Sequence, residues 1–131
     1  MTLSSPKTVI EKSQQEVFDF LGEVNNFEKL MPESIQKFEV IGEDTFIFAL
    51  KGMPEITLAK KSVDAPNKIV LGAAGGKIDF SLTGNIRALG DNQSEVELVF
   101  DGDFNPMMAM MIKGPISKFI ETLSGNIQNA I

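Results

Sequence analysis

The hydrophobic pattern of the chain changes period twice. From Ile35 to Phe104 apolar and polar residues alternate. Phe38 and Val40 are offset by Lys37 and Glu39, and Phe46, Phe48 and Leu50 share one face of Thr45 to Lys51. The clearest run is Lys77 to Leu89, where Ile78, Phe80, Leu82, Ile86 and Ala88 oppose Lys77, Asp79, Ser81, Thr83, Asn85 and Arg87. Val96, Leu98, Phe100 and Phe104 repeat the pattern against Glu95, Glu97, Asp101 and Asp103. Period two over this length predicts an antiparallel sheet with one wet face and one buried face. Its turns are marked by Gly42-Glu43-Asp44, Gly52-Met53-Pro54, Asp64-Ala65-Pro66-Asn67, Gly75-Gly76 and Gly90-Asp91-Asn92.

Both flanks read differently. Thr8 to Glu11 reads as the end of a strand. Ser13 and Glu16 have the spacing of a capping box and precede Val17, Phe18, Phe20 and Leu21, which predicts a short helix from about Ser13 to Val24. Phe27, Leu30 and Met31 fit one further helical turn, closed by Pro32. After Pro106 the period is helical again, with a stripe of Met108, Met111, Ile112, Phe119, Leu123 and Ile127. That helix has roughly 24 residues and a length on the order of 35 Å. A sheet with one apolar face needs a cover, and only this helix is long enough. The expected fold is α+β: a curved antiparallel sheet of six to seven strands around a long C-terminal helix, with two short helices after the first strand. The whole of 1–131 reads as one domain without repeat or linker.

The segment "TVIEKSQQEVFDFLGEVNNFEKLMP", Thr8 to Pro32, resembles the opening of START-like (SRPBCC superfamily) proteins, which include the polyketide cyclase/dehydrase and lipid-transport group and the birch-pollen-allergen fold. Ser13, Glu16, Val17, Phe18, Asn26, Phe27, Met31 and Pro32 carry the likeness, with Leu30 where tryptophan is usual before Met-Pro. The resemblance implies a helix-grip fold and a central cavity for a lipid, polyketide, sterol, quinone or similar apolar molecule. It does not imply one activity, because fold alone does not settle function.

Composition narrows the chemistry. The 131 residues include no His, Cys, Trp or Tyr, which removes Ser-His-Asp and Cys-His mechanisms, disulfides and thiolate metal sites. Asp79, Glu95, Glu97, Asp101 and Asp103 fall on wet faces, so no pair of acids converges inside. We expect no catalytic residue, no metal and no cofactor. A net charge of −6 argues against nucleic acid. No apolar run approaches the ~18 residues that span a bilayer, so the expected location is cytoplasmic.

Four of seven methionines stand within Met107 to Met111, ahead of Lys113-Gly114-Pro115. Methionine adapts to irregular apolar partners, and proline inside a helix removes a hydrogen bond and kinks it. Met107 to Ile112 therefore read as a gate over a cavity, against the plainer reading as core filler. "GAAGGK", Gly72 to Lys77, lacks the spacing and following helix of a phosphate loop and reads as a hairpin turn. Gly84, inside the strongest strand, reads as a bulge or tight bend. Strand phase turns Lys60 inward with Ile56 and Leu58, either as a head-group contact or with its ammonium snorkelling to water.

The expected ligand-binding residues are Phe48, Leu58, Phe80, Phe100, Met108, Met111 and Ile112, with Lys60 at a head group and Phe27 and Leu30 near the mouth. The leading functional expectation is binding or carriage of a small hydrophobic molecule without its transformation. The alternatives are an enzyme of polyketide-cyclase type, which needs a polar group inside, and a protein-interaction module with a collapsed cavity.

Overall fold

A computed structural model describes residues 1–52, 55–74 and 79–131. The strands are β1 (Thr2–Ser4), β2 (Thr8–Ile10), β3 (Ile35–Val40), β4 (Thr45–Leu50), β5 (Ile56–Asp64), β6 (Lys68–Ala73), β7 (Phe80–Gly90) and β8 (Gln93–Gly102). Helix α1 (Gln14–Leu21) and a 3-10 helix (Val24–Leu30) follow β2, and α2 (Pro106–Ala130) closes the chain. The fold is the expected α+β arrangement.

All pairings are antiparallel in the order β1-β8-β7-β6-β5-β4-β3, and β2 also pairs with β8. β1 and β2 are two pieces of one edge, interrupted at Ser5-Pro6, where proline cannot donate to a ladder. Ser5 repairs the gap. Its N–H donates to Leu98 O at 2.8 Å, and its Oγ accepts from Leu98 N–H at 2.9 Å.

Alternation becomes burial along β4 and β8, where Phe46, Phe48 and Leu50, then Ser94, Val96, Leu98 and Phe100, are buried in turn. Each large apolar side chain removed from water on that face contributes about 1.5–3 kcal/mol. Phe46 and Phe48 anchor an aromatic column, with Phe27 and Phe38 each stacked on Phe46 at 5.3 Å and Phe119 of α2 on Phe48 at 5.0 Å.

The capping box at the start of α1 is present in both directions: Ser13 Oγ accepts from Glu16 N–H, and Glu16 accepts from Ser13 N–H. Asn105 caps α2 by accepting from Met108 N–H at 2.9 Å, with Pro106 in the first turn, where its missing N–H costs nothing. Two expectations change. α2 runs through Gly114-Pro115 as one continuous helix, and Gly84 is neither bulge nor break, since it pairs in register with Ile69 and Leu98. Ladder shifts occur instead at Ile35/Lys37, Lys60/Ser62 and Ala88/Gly90. The start of the expected 77–89 strand and the Gly75-Gly76 turn lie outside the described residues. No described helix is long and apolar enough to cross a membrane.

Candidate functional site

The residues expected to line a cavity separate into two layers. Phe27, Leu30, Phe48, Leu58 and Phe100 are buried in the common core. Phe27 and Leu30 are therefore not at a rim: the 3-10 helix that carries them packs on α2, and Leu30 O accepts from Asn126 Nδ2 at 2.9 Å. Beneath α1, a hollow bounded by Leu21, Phe27, Ile69, Leu82, Gly84 and Leu98 measures about 10 Å³. That is roughly one water-sized probe, with apolar walls that offer a water no partners. Among the described residues, this hollow leaves no room for a ligand.

Lys60 points inward, as its phase requires. It stands opposite Leu71 in the β5–β6 ladder, so the two share a face. Its ammonium is engaged by the protein, donating to Gly22 O at 3.1 Å and pairing with Asp44 Oδ1 at 3.2 Å. Gly22 is the C-cap of α1, so the charge sits where the helix dipole is negative. The side chain is neither a free head-group contact nor simply solvated; it clamps the first helix to the sheet.

The shallower layer is an aromatic end. Phe80, Phe100 and Phe104 stack on one another with ring centres 5.6, 6.4 and 5.9 Å apart. Phe80 and Phe104 are only half-buried. Gly102 makes the cluster possible, since a Cβ there would lie 2.5 Å from Phe104 Cε2 and 2.8 Å from Phe80 Cβ. Sequence alternation brought Phe80 and Phe100 together but did not select Phe104 or Gly102. The only advance sign was the phase that Phe104 shares with Phe100.

The start of α2 follows directly from Phe104, and this helix is divided. From Pro106 to Pro115 no residue is buried, and only Met108, Ala109 and Ile112 are half-buried. From Ile116 onward Ile116, Phe119, Ile120, Leu123, Ser124 and Ile127 are buried. Two side-chain bonds also hold the second half: Asn126 to Leu30 O, and Gln128 Oε1 accepting from Glu11 N–H at 2.7 Å. Pro115, at the division, cannot donate to Met111 O. Met108 and Ile112 are half-buried, and Ile112 packs against the core. Met111, expected in the inward stripe, is 70% exposed, alongside Met107 at 74% and Met110 at 83%. At 100° per residue Met111 lies about 80° from Phe119 on the side away from Leu123, Ile127 and Ile120, outside the buried stripe.

Polar groups offer little chemistry inside. The buried polar side chains are serines with structural partners: Ser94 Oγ donates to Lys12 O, Ser124 Oγ donates to Glu121 O, and Ser5 is bonded to Leu98. Among the described residues no buried side-chain nitrogen or oxygen lacks a partner, and no cluster of His, Cys, Asp or Glu could hold a metal ion. Asp79, Asp101 and Asp103 stand with Ser81 around an outer depression of about 220 Å³, on the wet side as expected.

No family model and no curated protein matches the chain. Solved structures do. Norcoclaurine synthase from Thalictrum flavum superposes with a TM-score of 0.77 at 11% identity, over 98% of this chain and 84% of that one. The same enzyme in complex with dopamine and hydroxybenzaldehyde gives 0.71 at 11% identity, over 98% and 87%. A START superfamily protein from Mycobacterium smegmatis gives 0.71 at 11% identity, over 99% of each chain. At such identities the likeness is one of fold: the chain has a START-like fold.

Proposed function

We propose that the protein binds a small apolar molecule at its aromatic end, admitted beneath the first half of α2, and carries it without transforming it. One observation carries this reading: α2 is anchored from Ile116 onward, while Pro106 to Pro115, which follow Phe104 in the chain, include no fully buried residue. The described conformation is then the closed one. Phe80, Phe100, Met108 and Ile112 are the contacts we assign to the ligand, joined by Phe104. Leu58, Phe48, Phe27 and Leu30 form the floor behind them, and Met107, Met110 and Met111 form the outer side of the gate. A lipid, polyketide or quinone-like body suits such walls, since apolar burial returns on the order of 25 cal/mol per Å². That a synthase of this fold holds dopamine and hydroxybenzaldehyde supports an aromatic-sized guest. A chain free of cysteine fits a carrier working in the cytoplasm as a single domain.

Native mass spectrometry of gently purified protein, together with titration of the neutral fluorophore N-phenyl-1-naphthylamine, tests the proposal. A retained apolar adduct or saturable fluorescence enhancement supports it. Clean apo mass with no saturable enhancement sinks it.

A second reading rests on Met107, Met110 and Met111, three methionines on one exposed helical face beside a filled interior. In that reading the interior never opens and the face docks a protein partner. Amide exchange separates the two. Protection of 107–112 equal to that of 119–127, with and without fluorophore, leaves only the docking role. The enzymatic alternative is the least supported, because each buried serine is already engaged.

A further inference from the structure

A separate depression lies where α2 passes the β3–β4 edge of the sheet, with a volume of about 200 Å³. Its apolar surface comes from Leu50 and Phe119, which are buried, and from Pro32 and Pro115. Phe119 is held from behind by its 5.0 Å stack on Phe48, so this surface is rigid. The polar rim has one sign. Lys51 and Lys118 line it together with the hydroxyl residues Ser34 and Thr122, and no acid does. Glu33 and Glu121, the acids next to lining residues in sequence, are not among the lining residues. Among the described residues neither lysine takes part in an ion pair. In a chain of net charge −6, two lysines line this apolar groove without an acid beside them in its lining.

We propose that this groove binds a monomeric amphipathic anion, a short- or medium-chain carboxylate. Its hydrocarbon part lies over Leu50 and Phe119, and its head group lies between Lys51 and Lys118. The volume is below the roughly 300–1,000 Å³ of drug-sized pockets, which keeps the occupant small. A charged head rejects neutral apolar compounds in favour of anions, because only the anion gains charge-assisted bonds to the two ammonium groups. The site is distinct from the apolar site assigned above: the two share only the neighbourhood of Pro115, and this one uses Phe119 and needs no movement of α2.

The test is amide NMR on the intact protein, titrated with octanoate, with neutral octanol and with octyltrimethylammonium. Octanoate should move the amides of Ser34, Lys51, Lys118 and Thr122 saturably, and added salt should weaken it. In the double variant Lys51→Gln/Lys118→Gln, which changes two exposed side chains, octanoate affinity should fall about tenfold or more while octanol is unaffected. Equal octanoate affinity in the double variant overturns the proposal, as do shifts centred elsewhere or equal affinity for the cation. Co-sedimentation with anionic phospholipid vesicles without any response to monomeric octanoate also overturns it, and points to a membrane surface instead. Failure here leaves the N-phenyl-1-naphthylamine result untouched, so the two sites are judged separately.

Discussion

Lys60 closes the C-terminal end of α1 by donating from Nζ to Gly22 O across 3.1 Å. A lysine on the inner face of a sheet is thereby used to fix the position of a helix. Its second partner, Asp44, is half exposed, so that ion pair is worth little by itself. Lys60→Met should lower unfolding free energy by roughly 1–2 kcal/mol, because a carbonyl at a helix end loses its charged donor. Asp44→Asn should cost about 0.5 kcal/mol or less. Urea denaturation of both variants decides this. Equal losses would put the stabilisation in the ion pair, and no loss for Lys60→Met would return the lysine to a ligand role.

Gly84 carries the opposite expectation. A Cβ there would meet Leu21 Cδ1 and Leu98 Cδ2 at 3.7 Å, an ordinary contact, and would enter a hollow of about 10 Å³. Its φ is not in the left-handed region. Gly84→Ala should stabilise the protein by about 0.5–1 kcal/mol, through a less flexible unfolded chain. A rise in the urea midpoint at unchanged slope is the expected result. Destabilisation beyond ~1 kcal/mol would reinstate the need for a bend.

At Gly102 the space is already taken. Gly102→Ala forces a methyl group against Phe80 Cβ and the edge of Phe104, and should cost about 1–3 kcal/mol. The same change should weaken N-phenyl-1-naphthylamine binding, since both rings belong to the assigned site. Stability and affinity measured on one preparation check both statements. Wild-type affinity would remove the aromatic end from the proposal.

Pro115→Ala restores an amide that can donate to Met111 O and strengthens the joint between the two halves of α2. Amide exchange of 107–114 should slow, and the fluorophore should bind more slowly than in the natural chain. Unchanged exchange and unchanged association rate would show that Pro115 is not where α2 yields.

The elements that were legible in the sequence are those set by local chemistry. The Ser13–Glu16 box needs only residues three apart, and Phe46-Phe48-Leu50 needs only the two-residue period of a strand. What was illegible depends on partners distant in the chain. Gly84 faces Leu21, 63 positions earlier, across a small hollow, so a glycine that looked like a break is a regular ladder residue beneath α1. Lys60 was placed on the correct face, but its acceptor, the end of α1, could not be deduced from strand phase. Met111 was assigned to the inner stripe because sequence spacing did not show on which side of Phe119 the buried face lies: it extends toward Ile120 and Ile127, and Met111 falls on the other side. Phe80 stacks within the aromatic end and Ile112 packs against the core, whereas Phe27 and Leu30, expected near a mouth, are buried in that core.

The division of α2 at Pro115 sets a mechanical scale. Nine helical residues ahead of the proline form an arm of ~14 Å, and a tilt of roughly 15° about its base raises the far tip by ~3.5 Å. That is close to the thickness of a hydrocarbon chain, given carbon–carbon contact distances of about 3.5–4.0 Å. Such a cantilever could admit a flat or threadlike guest while Leu123 and Ile127 stay seated, so loading need not disturb the interior that holds the molecule folded.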